Sequence, residues 1–529
     1  MDDFYTKERG AVGGQVLRIQ RPACERTVVS EVAGDFSLPD YQPEIKRLLR
    51  VSATAQPPSH YIGGGVAEFS GTVDYCVLYA GNDGQIYCFP TSTEYSFRVP
   101  MEAGADFDLN DGLVAYALCE PESIISRVSG PRRMSIKCRL RADVKAHGSY
   151  IVEEKRRGTL PASCGEERLF AERECGVCGY GQSDPFVVSD EVVLDREYPG
   201  NTDWRADWRI ISGDAQVMIG ETKCNNGRVN CRGDVVLKLL LQPEGEGNAP
   251  VSLLRKLPFE QSITADGAQI NGEAAVTGCC TELSLGMEEG RVLCEAEIVL
   301  SARTQWGQVV SYACDWYATG CQSDCSHSEI AVPTPLRCVN ANLTQSETRT
   351  TEELGIPDGA TLVDVAGVAT VDRVEQERGR YVMSGKCRYS LILSLDGEMS
   401  TKEVELPFRY VAEGAQETKK LGYEGQAQVL MTKGRLDGQS LAIDAELGIC
   451  MRLWDEDSIR VVSATTVGEC IEHRPGEMIL CYPSRQDTVW SVGKRYGAPL
   501  DALVAKNRLN DEKRADDPAS LSEVRVIAI

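Results

Sequence analysis

The stretch Gly71-Thr-Val-Asp-Tyr-Cys-Val-Leu-Tyr79 decides the fold, because it recurs. A second copy reads Gly233-Asp-Val-Val-Leu-Lys-Leu-Leu-Leu241, and a third reads Gly385-Lys-Cys-Arg-Tyr-Ser-Leu-Ile-Leu393. Val73, Tyr75, Val77 and Tyr79 correspond to Val235, Leu237, Leu239 and Leu241, then to Cys387, Tyr389, Leu391 and Leu393. Successive side chains of a strand point to opposite faces, so these positions define one apolar face per copy. The other face changes: Asp74, Cys76, Leu78; Val236, Lys238, Leu240; Arg388, Ser390, Ile392. That variation predicts a partly wet face.

Working outward, each strand is followed by a hairpin partner that ends in an aromatic residue. Phe97 and Phe259 each stand 26 residues after their glycine, and Phe408 stands 23 after Gly385. A leading strand comes before each copy, with Ser52, Ser212 and Ala366 lying 19, 21 and 19 residues ahead of the glycines. In the first leader, Pro39-Asp40, Pro43-Glu44 and the spacing of Ile45, Leu48 and Leu49 predict a short helical turn. A closing strand follows each copy. In the first, Met134, Ile136, Cys138, Leu140, Ala142 and Val144 alternate with polar residues. Val292, Cys294, Ala296, Ile298 and Leu300 match them, as do Leu441, Ile443, Ala445, Leu447 and Ile449. Ile136, Ile298 and Ile449 stand 65, 65 and 64 residues after the glycines. A sheet with one apolar face needs a second layer, so each copy predicts a β-sandwich of roughly 100 residues.

The expected organisation is mainly β. Residues 1–27 read as an irregular lead-in, 28–150, 187–318 and 351–465 as three related β domains, and 151–186 and 319–350 as linkers rich in charge or in Gly, Thr, Ser and Glu. The C-terminal segment, 475–529, changes character. Met478–Tyr482 predicts a strand, and Asp487–Tyr496 a helix capped by Asp487 or Thr488. Pro499–Asn507 predicts a second helix with Leu500, Leu503 and Val504 inward, and Ser522–Ile527 a last strand. The order is β-α-α-β.

That segment resembles a LysM domain, through Gln486-Asp-Thr-Val489, Val492-Gly493, Tyr496-Gly497 and Asn507. It departs from the family pattern at Gln486, at Ala519-Ser-Leu-Ser522 and in the long charged loop Arg508–Pro518. The repeats resemble the SPOCS domains of spore-forming clostridia, through Leu38-Pro-Asp-Tyr-Gln-Pro-Glu-Ile45 and the hairpin from Gly71 to Phe97. SPOCS repeats followed by one LysM domain resemble the SipL-like spore-coat morphogenetic proteins. The resemblance implies a non-enzymatic adaptor in the mother-cell cytosol at the forespore surface. It also implies that the LysM-like domain contacts a coat-basement ATPase of the SpoIVA type. The other reading is a binder of peptidoglycan- or chitin-type glycan.

Composition narrows the classes. A formal charge of −23 over 529 residues disfavours nucleic acid and anionic lipid as partners. No apolar run approaches the roughly 20 residues that span a membrane. Met1–Arg9 lacks the apolar core of a signal peptide, so the expected compartment is the cytosol. There the 21 cysteines are expected to be reduced. Cys138, Cys294 and Cys387 fall on inward positions and should be buried and unpaired.

Chemistry is sparse. No phosphate loop, nucleophile elbow or zincin helix occurs. Gly63-Gly-Gly65 reads as a turn into a strand. Cys164, Cys175 and Cys178 offer three zinc ligands with no fourth, and Cys321, Cys325, His327 and Cys338 offer four at irregular spacing. Exposed linker thiols explain both groups, so no metal or other cofactor is expected. The candidate partner-binding residues are Lys494, Arg495, Tyr496, Lys506 and Arg508. They form a local basic cluster in an acidic chain and could steer an acidic partner. Lys494 and Lys506 are expected on exposed helix faces.

Overall fold

The computed structural model describes residues 16–101, 107–108, 113–194, 208–243, 250–413, 418–472, 478–509, 514–522 and 524–529. The chain is mainly β and builds several antiparallel sheets. Three sheets have the repeated strands at their centres: Val66–Gly81, Arg228–Pro243 and Arg380–Leu395. Three more are built around the closing strands Arg133–Glu153, Arg291–Thr319 and Ser440–Cys470. One sheet of each kind encloses an apolar core. The twelve inward residues of the repeated strands are at most 2% exposed. Burying each such Val or Leu contributes about 1.5–3 kcal/mol relative to exposure. Cys138, Cys294 and Cys387 are buried and unpaired, as alternation requires. Burial pushes each of these thiols up to about 11.

The repeat glycines are places of close approach. A Cβ on Gly233 would lie 2.1 Å from the Met218 carbonyl oxygen, and one on Gly385 would lie 2.1 Å from that of Thr370. Aromatic rings cover the same spots. Gly233 pairs with Phe259 and Gly385 with Phe408. In the first copy Gly71 pairs with Tyr95, while Phe97 pairs with Phe69. Equal spacing to the phenylalanine therefore does not mean equal register. The first hairpin is shifted by two residues, and the period of two keeps an aromatic on the glycine's face.

The outer face of the repeated strands is not simply wet. Leu78, Leu240 and Ile392, each seven residues after its glycine, are buried in one cluster shared by all three copies. Ala80 and Ile86 add to it from the first copy, and the leading strands contribute Leu49, Ile211 and Val363. Each lies 22 residues before its glycine (71−49, 233−211, 385−363), and each sits at a β-bulge of its leading strand. A bulge adds one residue and turns its side chain to the other face. This corrects the expected helical turn: Ile45–Ala55 is a strand with two register shifts, and those shifts produce the i, i+3, i+4 spacing. Arg50 and Lys238 close on the buried Asp364 at 2.5 and 2.6 Å beside this cluster.

The linkers are also corrected. Gly165–Gln182 is a strand along Ser301–Thr319, and Cys321–Thr350 is a strand of 30 residues along Ser440–Cys470. Lys155–Arg157 adds a short parallel pairing. The lead-in is likewise part strand, since Val16–Ser37 runs beside Arg133–Glu153; residues 1–15 lie outside the described residues. Charge and glycine in these segments mark strands with one solvated face, which composition alone does not separate from loops. The closing strands overhang the cores, and their ends gather Tyr150, Val152, Tyr312, Ile459 and Val461, with Ile330 and Val332 of the strand Cys321–Thr350, into a further cluster. Gly64 and Gly65, with φ of 59° and 77°, form the turn into Val66. Among the described residues no helix is long and apolar enough to cross a membrane.

Candidate functional site

The C-terminal unit pairs Leu480–Cys481 with Ile527–Ala528 and packs the helices Val489–Tyr496 and Leu500–Asn507 against that two-stranded sheet. Both strands are shorter than the sequence predicts. Thr488 caps the first helix: its hydroxyl accepts from the Ser491 amide at 3.0 Å, and Ser491 Oγ accepts from the Thr488 amide at 2.9 Å. Gly497, at φ 61°, ends it. The core is Cys481, Val489, Val492, Leu503, Leu521 and Ile527. Asn507 fastens the second helix to the last strand. Its Nδ2 donates to the Leu503 and Ala528 carbonyls, and its Oδ1 accepts from the Ala528 amide at 2.7 Å.

One side of this unit is docked. Trp490 Nε1 donates to Asp315 Oδ2 at 2.8 Å, and Lys494 bonds to Oδ1 of the same carboxylate. Tyr317 donates to the Ala498 carbonyl at 2.8 Å and meets Trp490 edge-on. The Gly320 amide donates to the Gly497 carbonyl, also at 2.8 Å. Burial pushes the Asp315 carboxyl up, but the bonds from Lys494 and Trp490 outweigh it and leave it below its ordinary value.

The five candidate residues have different fates. Lys494 is half-buried against Asp315 rather than on a free helix face, because its helix lies on the body of the molecule. Arg495 donates to Asp487 at 2.6 Å and closes the loop ahead of its own helix. Tyr496 packs on the small core beside Cys481, and its bond to that thiol raises the phenol. Lys506 is exposed, with Nζ on the Ile529 carbonyl at 2.8 Å. Arg508 is exposed where the second helix ends, in the left-handed conformation at φ 52°. Lys506 and Arg508 thus remain on the surface, whereas Lys494 and Tyr496 are turned to other contacts.

Sequence reasoning missed the opposite side. Met478, Leu480, Tyr482 and Val526 are 71%, 48%, 72% and 39% exposed. Cys481 and Ile527 point inward, and Leu480 points outward from the same strand. The alternation of Met478, Leu480 and Tyr482 around Cys481 was the available signal. An exposed apolar stripe on so small a unit suits burial by a partner.

The possible metal ligands are redistributed. Cys175 and Cys178 belong to the strand Gly165–Gln182, and Cys178 accepts from Arg452, away from Cys164. Cys321 and Cys325 fall into separate groups, and the Cys338 amide donates to Glu273. Cys325, His327 and Asp315 resemble a nucleophile, base and acid, yet the hydrogen bonds argue otherwise. His327 Nε2 lies 3.0 Å from the Cys314 carbonyl, and Nδ1 lies 3.1 Å from Arg460. Both ring nitrogens are engaged, and the thiol is 4.0 Å away. Cys325 instead donates to Asp315 at 3.3 Å, and burial raises the thiol. A protonated thiol facing an occupied imidazole is a poor nucleophile.

Compared with known proteins, the chain matches no family model, no curated protein and no solved structure.

Proposed function

We propose that the chain is a non-enzymatic scaffold of spore-coat assembly, similar to the SipL-like clostridial proteins. In this reading three SPOCS-like β domains carry a LysM-like domain, which binds a coat-basement ATPase of the SpoIVA type in the mother-cell cytosol. The observation that carries it is the two-sided C-terminal unit. One side is fixed to the body through Asp315, Trp490 and Tyr317, and the other presents Met478, Leu480, Tyr482 and Val526. A rigidly held unit with an apolar stripe suits protein recognition, since aromatic and aliphatic anchors supply most interface energy. Lys506 and Arg508 add surface cations that favour an acidic partner.

The test is capture of a purified SpoIVA-type ATPase by the full chain. Tyr482→Ser with Met478→Ser should weaken capture by more than about tenfold, the effect of losing a contact of about 1.4 kcal/mol or more. Lys506→Glu with Arg508→Glu should weaken it less and make it less salt-sensitive. Capture of the ATPase by Tyr482→Ser/Met478→Ser at wild-type strength would remove the stripe from the proposal. Tight binding of chitin oligomers with no capture of the ATPase would replace the scaffold reading with glycan recognition.

A further inference from the structure

We propose that Cys164, Cys321 and Cys470 form a three-thiolate site for a soft divalent metal ion of the zinc class, with the fourth position open to solvent. The three sulfur atoms lie within 4.8 Å of one another, although the residues come from distant parts of the chain. Cys164 ends the turn that begins at Pro161, Cys321 starts the strand Cys321–Thr350, and Cys470 ends the strand Ser440–Cys470. Cys321 Sγ is 2.9 Å from Cys164 Sγ and 3.9 Å from Cys470 Sγ. Tetrahedral zinc with bonds of about 2.3 Å places its sulfur ligands about 3.8 Å apart. The Cys321–Cys470 pair already has that spacing. Cys164 must retreat by about 1 Å to match it, and it sits on a turn rather than inside a sheet.

The chemistry of the group agrees with its spacing. Thiolates, not thiols, bind zinc. The Cys321 thiol donates to Cys164 Sγ at 2.9 Å. A cation at the centre would replace that shared proton, so binding must release protons and tighten as pH rises. Trp316, Ala318 and Val462 back the group on its inner side, and Cys470 is exposed on the outer side. Ions can therefore enter, and a water can occupy the fourth position.

The place gives the site a purpose independent of what the C-terminal unit binds. Gly320 and Ile471 are the direct neighbours of Cys321 and Cys470. The Ile471 amide donates to the Gly320 carbonyl at 2.8 Å, while the Gly320 amide holds Gly497. A metal here would tie the end of the strand Ser440–Cys470, which leads into the C-terminal segment, to Cys321, the residue after the Gly320 that holds Gly497.

The test uses the full chain, purified under reductant, stripped with chelator and titrated with Co²⁺ and then Zn²⁺. One Co²⁺ per chain should bind with thiolate-to-metal charge-transfer absorbance, and Zn²⁺ should displace it. Cys164→Ser and Cys470→Ser should each weaken Co²⁺ binding by more than about tenfold. Cys325→Ser, outside the group, should leave it unchanged. Zn²⁺ should raise the unfolding temperature of the wild type and not that of Cys470→Ser, a substitution at an exposed position that spares the fold. Absence of thiolate absorbance would overturn the site, as would equal Co²⁺ binding by Cys470→Ser. So would a Cys164–Cys321 disulfide in the reductant-purified protein that blocks Co²⁺ uptake.

Discussion

Among the joints between the three copies of the repeat, two are built on different principles. One is the apolar cluster around Leu49, Leu78, Ile211, Leu240, Val363 and Ile392, to which each copy supplies the same two positions and the first copy adds Ala80 and Ile86. The other is polar and buried. Arg452 donates to Glu424 at 2.7 Å, to Tyr116 at 3.0 Å and to Cys178 at 2.8 Å. Lys145 lies 3.3 Å from Glu424, and Arg303 donates to Cys450 at 3.0 Å. Glu424, Arg303 and Arg452 are all buried. The residues of this second joint come from different positions of the three copies. An apolar joint rewards burial in many arrangements, whereas a buried charge network is tolerable in only one. We infer that the first joint supplies cohesion and the second fixes which faces meet.

The sharpest way to break this comparison is to remove the buried carboxylate at the centre of the polar joint. Burial alone would raise the Glu424 carboxyl, but Arg452, Lys145 and Arg303 hold it far below the usual carboxylate range. Glu424→Gln removes the carboxylate that faces the buried Arg452 and Arg303, while Lys145 keeps Glu25 at 2.7 Å, and should lower stability by about 3–5 kcal/mol in urea denaturation. A loss below about 1 kcal/mol would mean that the network is not what fixes the joint. Leu240→Ala and Ile392→Ala probe the apolar joint and should each cost about 2–5 kcal/mol. Because the two positions are equivalent, their costs should be similar; a large disparity would end the claim of equivalence.

Acid should act on the polar joint first. Burial, reinforced by Arg452, lowers His147 to about 3. In the unfolded chain it titrates near about 6.5. Between those values only the unfolded state binds the proton, so stability falls as pH drops through that window, by up to about 1.4 kcal/mol per pH unit. Glu424 adds a further loss once pH falls below its unfolded value of about 4.3, because its folded value is depressed. His147→Asn should flatten the pH–stability curve between about pH 6 and about pH 4. An unchanged slope would show that His147 is not buried neutral.

Two smaller effects sharpen the picture. Alkylation under native conditions should label Cys470 quickly and leave Cys138, Cys294 and Cys387 protected, since only the last three are enclosed by sheets. At the docked C-terminal unit, a double-mutant cycle of Lys494→Met with Asp315→Asn should give a coupling of about 0.2–1 kcal/mol, because both side chains keep part of their solvent contact. Zero coupling would leave Trp490 and Tyr317 as the main attachment.

Sequence by itself determined the interiors. Val235, Leu237, Leu239 and Leu241 face one way because a strand has a period of two, and nothing distant is needed to read that. Cys138, Cys294 and Cys387 were legible as buried thiols for the same reason, and the Thr488 cap was legible from local hydrogen-bonding chemistry. Tertiary structure alone decided the rest. The bulges at Leu49, Ile211 and Val363 reverse a face by one residue, and no composition signal marks them. Gly165–Gln182 and Cys321–Thr350 resemble linkers until a long closing strand is present to pair with them. Lys494 belongs to Asp315, and Cys164 to Cys321 and Cys470, across separations of 179, 157 and 306 residues (494−315, 321−164, 470−164). Local periodicity records which way a side chain points, whereas a charge or a thiol is defined by its partner, and only the folded chain brings the partners together.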